Sequence, residues 1–186
     1  DEHFTALLRN GSAGAAILVN HADGTILNDD GGAGGDAGGS LAQVAAADFN
    51  GDGTADLLRQ AVDGDLYVLD GASGVQTAVS QSAAGLAFVA AADFTGDGRS
   101  DLLLRSGQGL YDWTMAGATV ARTDLVTVLG AGATVAAVRD FTGDGRADIL
   151  LNDGPAGGYT LLAMNGGMIA GTTSLATLPD AWHVPA

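Results

Sequence analysis

The sequence predicts an all-β fold, a β-propeller of four blades of about 46 residues each, and three observations carry the prediction. A nine-residue, carboxylate-rich segment recurs three times: Asp48-Phe-Asn-Gly-Asp-Gly-Thr-Ala-Asp56, Asp93-Phe-Thr-Gly-Asp-Gly-Arg-Ser-Asp101 and Asp140-Phe-Thr-Gly-Asp-Gly-Arg-Ala-Asp148. Their first aspartates lie 45 and 47 residues apart, the period of a propeller blade or other stacked unit. Each segment runs into a short apolar stretch, Leu57-Leu58, Leu102-Leu103-Leu104 or Ile149-Leu150-Leu151. Polar or glycine residues soon end these stretches, so by length they read as buried strands and not as helices. Each acidic segment is therefore expected to be a loop joining two strands.

Taken in order, residues 4–10 align with residues 100–106, so the chain is expected to start on the strand after a loop, while residues 182–186 resemble the strand before one. The two terminal strands are expected to share a blade and close the ring, removing the exposed sheet edges that invite aggregation. On this reading residues 1–186 form one propeller domain. Blade 1 joins 182–186 to 1–40, with a glycine-rich insertion at 21–40; blade 2 spans 41–85, blade 3 spans 86–130 and blade 4 spans 131–181. Residues 31–39, Gly-Gly-Ala-Gly-Gly-Asp-Ala-Gly-Gly, nearly match a calcium-binding nonapeptide. Gly38 fills its apolar position and a single copy has no partner to stack on, so an insertion between blades is expected. Later in each blade a further strand ends in a small-residue turn: 66–71, 111–117 and 160–166. Tyr67, Trp113 and Leu162 recur four residues before the turn glycine, a position expected in the core between blades. Phe49, Phe94 and Phe141 are expected to anchor the loops, and segments 116–121 and 130–135, rich in Ala, Gly and Thr, are expected to be strands with flat contact surfaces.

Oxygen atoms at loop positions one, three, five and nine suit a hard cation that takes six to eight oxygen ligands at about 2.3–2.6 Å. The first loop offers Asp48, Asn50, Asp52 and Asp56 with the main-chain carbonyl of Thr54. The second offers Asp93, Thr95, Asp97 and Asp101 with the Arg99 carbonyl, and the third Asp140, Thr142, Asp144 and Asp148 with the Arg146 carbonyl. Gly53, Gly98 and Gly145 follow the middle carboxylate, where the chain must turn sharply and a residue without Cβ takes positive φ cheaply. Calcium (Ca2+) at three sites is the expected cofactor, because magnesium demands stricter octahedral geometry and keeps its waters. Zinc is disfavoured by the lack of Cys and by the scatter of His3, His21 and His183. An EF-hand is excluded at position twelve, where its bidentate Glu is replaced by Arg59, Leu104 and Leu151. Register sets Asp1 opposite Asp97 and Thr5 opposite Asp101, so a loop split between the chain ends is expected to bind no metal.

With these loops, the (Leu/Ile)-Leu strand after them and the later strand ending in a small-residue turn, closest to type as Thr160-Leu-Leu-Ala-Met-Asn-Gly166, the chain resembles the FG-GAP or VCBS repeat family. These are calcium-loop propeller repeats also found in the integrin α-chain head. The resemblance covers nearly the whole chain apart from residues 21–40. It implies a propeller and bound calcium, and bears only weakly on function.

Composition narrows the function classes. With 47% hydrophobic residues the chain can furnish a core, and it has no run of about twenty apolar residues, so membrane insertion is not expected. The formal charge of −15, with every basic residue an Arg, argues against nucleic acid or an anionic membrane as partner. Without Cys there are no disulfides, and calcium modules that work at about 10⁻⁴–10⁻³ M ion belong outside cells, so a secreted or cell-surface location is expected. The three His do not repeat, no Gly-x-Ser-x-Gly elbow presents a nucleophile, and the loop carboxylates are committed to metal. The expected role is non-catalytic recognition or adhesion, with a glycan or protein as ligand. The alternatives are a subunit that assembles with copies of itself into a surface layer or filament, and, less favoured, a calcium-dependent hydrolase using Arg99 and Arg146. Tyr111 and Tyr159 are the candidate exposed rings for a ligand.

Overall fold

The computed structural model describes residues 2–7, 21–26, 41–154 and 157–175. The glycine-rich stretch at 31–39, Trp182, His183 and the proposed closing strand at 182–186 lie outside them. The chain divides into two compact units, Asp1–Gly38 and Gly39–Ala186. In the first, β1 (Glu2–Leu7) pairs antiparallel with β2 (His21–Ile26).

The second unit is built from three four-stranded antiparallel sheets, each in simple sequential order. The first sheet contains β3 (Ala42–Ala47), β4 (Asp56–Gln60), β5 (Leu66–Leu69) and β6 (Gln76–Ala78). The second contains β7 (Ala87–Ala92), β8 (Asp101–Ser106), β9 (Gly109–Ala116) and β10 (Thr119–Val128), and the third β11 (Thr134–Arg139), β12 (Asp148–Asn152), β13 (Tyr159–Asn165) and β14 (Met168–Leu175). These are sheets of propeller-blade type. All three acidic loops connect the first strand of a sheet to its second, as their flanking sequence predicts. Segments 116–121 and 130–135 differ from expectation: Gly117 and Ala118 make the β9–β10 turn, and residues 130–133 are a turn before β11. Consecutive small residues bring too little side chain to hold a strand against its neighbours, and glycine favours the turn.

Side-chain alternation along the second strand of each sheet explains how the sheets stack. A strand sends successive side chains to opposite faces. In β8, Leu102 and Leu104 pack with Phe49, Leu58, Val68, Trp113 and Met115 between the first and second sheets. Leu103, one step out of phase, packs with Phe94, Leu110, Ile149, Leu151 and Met164 between the second and third. Trp113 and Tyr67 are buried, as is Leu162, in keeping with the core role read from their spacing. Tyr111 and Tyr159 are half-buried.

Phe141 departs from the expectation that all three loop phenylalanines are anchored. Phe49 and Phe94 are wholly buried, whereas Phe141 is 41% exposed. The first two each lie in the layer shared with the following sheet. No further sheet covers the corresponding face of the third sheet among the described residues of this unit.

Candidate metal-binding loops

Within each loop the first aspartate organises the backbone. Asp48 Oδ1 accepts from the Gly51 N–H at 2.6 Å and Oδ2 from the Gly53 N–H at 2.8 Å. Asp93 does the same with Gly96 and Gly98 at 2.6 and 2.8 Å, and Asp140 with Gly143 and Gly145 at 2.6 and 2.9 Å. That double capture requires left-handed backbone at both glycines, and Gly53, Gly98 and Gly145 have φ of +83°, +83° and +84°. Charge state follows from the same bonds. Some desolvation works against ionisation of Asp48, but the N–H groups of Gly53 and Gly51, with those of Asp52 and Asn50, hold its carboxyl below the usual range. For Asp140 the Gly145 N–H is the leading cause, and the shift is again downward.

The middle aspartates stay at the surface. Asp52 Oδ1 accepts from the Thr54 N–H, Asp97 Oδ1 from the Arg99 N–H and Asp144 Oδ1 from the Arg146 N–H. Asp97 and Asp144 also meet the guanidinium groups of Arg99 and Arg146 at 3.6 and 3.3 Å. Asn50 turns its amide toward both Asp52 and Asp70. Thr95 adds its hydroxyl and N–H to Asp93, while the Thr142 N–H goes to Asp148.

The ninth residue is where the structure adds most. Asp56, Asp101 and Asp148 are completely buried at the start of β4, β8 and β12. Each uses one oxygen to hold its own loop and the other to hold the later strand or turn of the same sheet. Asp56 accepts from the N–H of Phe49 and Gly71, Asp101 from Phe94 and Met115, and Asp148 from Phe141 and Met164, all at 2.9–3.0 Å. Gly71 is obligatory here, because a Cβ would fall 2.1 Å from the carbonyl oxygen of Ala55. Burial is the main influence on Asp101 and raises its carboxyl to about 6, against the N–H groups of Met115 and Phe94 and with the charges of Asp93 and Asp97.

The loops are also tied to one another. The Asp48 carbonyl accepts from the Ser100 N–H and the Asp93 carbonyl from the Ala147 N–H, both at 2.7 Å. The Phe49 and Phe94 carbonyls accept from the turn glycines Gly117 and Gly166 of the next sheet. Arg99 Nε donates to the Asn50 carbonyl and Arg146 Nε to the Thr95 carbonyl, both at 3.2 Å. Sequence reading missed these arginine bonds. The signal was there in the recurrence of Arg at position seven of the second and third loops and of Thr54 in the first, which has no described loop before it to reach.

The donor set is all oxygen with three carboxylates per loop, the chemistry a hard cation takes. In this arrangement the carboxylates of each loop are engaged by N–H donors, and in the second and third loops the middle one by arginine as well. Among the described residues no three acidic or histidine side chains converge as a metal-ligand group.

Fold and loops together define an all-β repeat protein built from blade-like sheets with acidic interstrand loops. The family model described as FG-GAP-like repeat matches residues 93–151, from the first aspartate of the second loop to β12, so the chain carries an FG-GAP-like repeat over that span. No curated protein matches the chain in sequence.

Proposed function

We propose that this chain is an extracellular calcium-binding β-propeller module, with four blades closed by its terminal strands, that recognises a glycan or protein ligand without catalysis. The observation that carries the reading is the threefold repetition of one oxygen-rich loop, linked loop to loop, in a chain with an FG-GAP-like repeat. Such repeats often bind calcium. The fifteen loop positions named from the sequence, from Asp48 to Asp148, are the proposed ligands, and calcium is proposed to draw together oxygens that N–H groups and arginines otherwise engage. Asp52→Ala, Asp97→Ala and Asp144→Ala should each remove about one calcium per molecule, because the loss of one of three charges weakens such a site sharply. Titration calorimetry that returns wild-type stoichiometry for all three variants would sink the assignment. A glycan array probed in calcium tests the ligand class.

A second reading is favoured by one specific feature. The last strand of the third sheet, β14, is exposed along its whole length and carries Met168 at 59% and Leu175 at 45% exposure. An open edge of this kind suits assembly with copies of the same chain. Sedimentation in calcium separates the two, since a monomer at all concentrations leaves recognition as the role.

A further inference from the structure

The β13–β14 turn carries Gly167, buried and with φ of +77°. A Cβ on it would fall 2.6 Å from Asp112 Oδ2, 2.8 Å from Asp124 Oδ2 and 3.1 Å from Arg122 Nη2. Asp112 and Asp124 are direct partners across β9 and β10. Two carboxylates and one guanidinium thus close on a single point at the boundary between the second and third sheets. Arg122 spans that boundary: Nε donates to Asp124 Oδ2, and Nη2 donates to the Gly166 carbonyl of the third sheet. Asp112 is fully buried. Its Oδ2 accepts from the Thr114 hydroxyl at 3.2 Å, and its Oδ1 is buried with no hydrogen-bond partner.

Aligned on the turn glycines Gly71, Gly117 and Gly166, Asp112 takes the place of Leu66 and Leu161. A blade of this type is therefore built without an acid here, and an ionised carboxylate left unpaired in an apolar layer is far more costly than a leucine. One positive charge, Arg122, serves two carboxylates. A calcium ion would need six to eight oxygens at about 2.3–2.6 Å, but Gly167 already packs against both acids and Arg122 against Asp124. A proton needs no such space.

We infer that Asp112 is a proton-binding site that controls the contact between the second and third sheets. The neutral carboxyl keeps the boundary packed; loss of the proton sets two negative charges against the single Arg122 and loosens it. Burial is the main cause of a rise in the Asp112 carboxyl from 3.8 to about 7; the charges of Asp101 and Asp124 add to it, while the Thr114 hydroxyl and Arg122 oppose it. These are the charged groups that act on it from β8 and β10, and the third sheet meets the cluster with the Gly166 carbonyl and Gly167. Between about pH 4 and about pH 7 the native form holds a proton that the unfolded chain has released, so this group makes folding less favourable as pH rises through that window, with no further change above it.

Thermal melts from about pH 5 to about pH 9, in saturating calcium and in chelator, test the inference. The wild-type Tm should fall by several degrees between about pH 5 and about pH 7 in both media and level off above it. Below about pH 6 the raised Asp101 carboxyl shares in the fall in chelator, but above that pH the fall should vanish in Asp112→Asn and Asp112→Leu. Asp124→Asn should move its midpoint to lower pH. Because a variant can fail to fold, carboxyl-carbon NMR of the wild-type chain reads the same group, with a midpoint near 7 expected for Asp112. A midpoint in the ordinary carboxylate range, an undiminished fall in folded Asp112→Leu, or a fall abolished by calcium would each overturn the inference.

Discussion

At the scale of single residues the buried ninth aspartates bear the greatest structural demand. Asp101 satisfies the N–H groups of Phe94 and Met115 where water cannot. Asp101→Ala leaves both donors without an acceptor, and at about 1–3 kcal/mol for each such group the cost is expected to be about 2–6 kcal/mol in calcium-free buffer. Asp101→Asn keeps one acceptor oxygen and should cost less. Urea unfolding of both variants in chelator checks this, and equal losses would show that hydrogen bonding is not the cause. The spacing of these aspartates was legible in the sequence, but their inward orientation was not. Metal ligation and N–H capture both call for a carboxylate oxygen, so the same letters serve either role. Asp112 was legible in principle, as the one acid at a position where sister repeats carry leucine; it is the burial of that acid that only the structure supplies.

At the scale of strands, the apolar runs of β4, β8 and β12 were readable because two or three large residues in succession mark a strand buried on both faces. The first strand of each sheet was not marked this way. Ala42–Ala47 and Ala87–Ala92 are dominated by alanine, a residue with little strand preference, and their position follows from the loop between them and the next strand. Leu103 and Leu150 occupy the same place in β8 and β12, yet Leu103 is wholly buried and Leu150 half-buried. Leu103→Ala should cost about 2–5 kcal/mol. Leu150→Ala should approach that value in the intact protein if a first blade covers the third sheet, as the proposed ring requires. A much smaller cost for Leu150→Ala, measured by denaturant unfolding, would count against closure.

For the whole molecule, the proposed calcium sites and the proposed closure are the two quantities expected to set stability. A ligand bound by the native state alone contributes RT ln(1 + [L]/Kd), about 2.7 kcal/mol per site at a hundredfold excess over Kd, so three sites should raise Tm well above its value in chelator. Coincident melts in the two media would show that the loops are acidic turns held by their own N–H groups. Deleting residues 182–186 should lower Tm and promote association by exposing a sheet edge. Spin labels near Asp1 and Ala186 should give a narrow distance distribution below about 20 Å for closed ends, given about 3.3–3.6 Å of reach per residue.

The bonds between loops have a direction. The first and second loops present carbonyl acceptors to the sheet that follows, and the second and third send N–H and arginine donors to the loop before them. Head and tail surfaces therefore differ, which makes the contact heterologous, and a heterologous contact ends only by turning back on its own beginning or by running on from one molecule to the next. On the third loop the acceptors in this series are the carbonyls of Asp140, Phe141 and Thr142. The same atoms that would complete the proposed ring within one chain would, in a chain prevented from closing, make it the seed of a fibre.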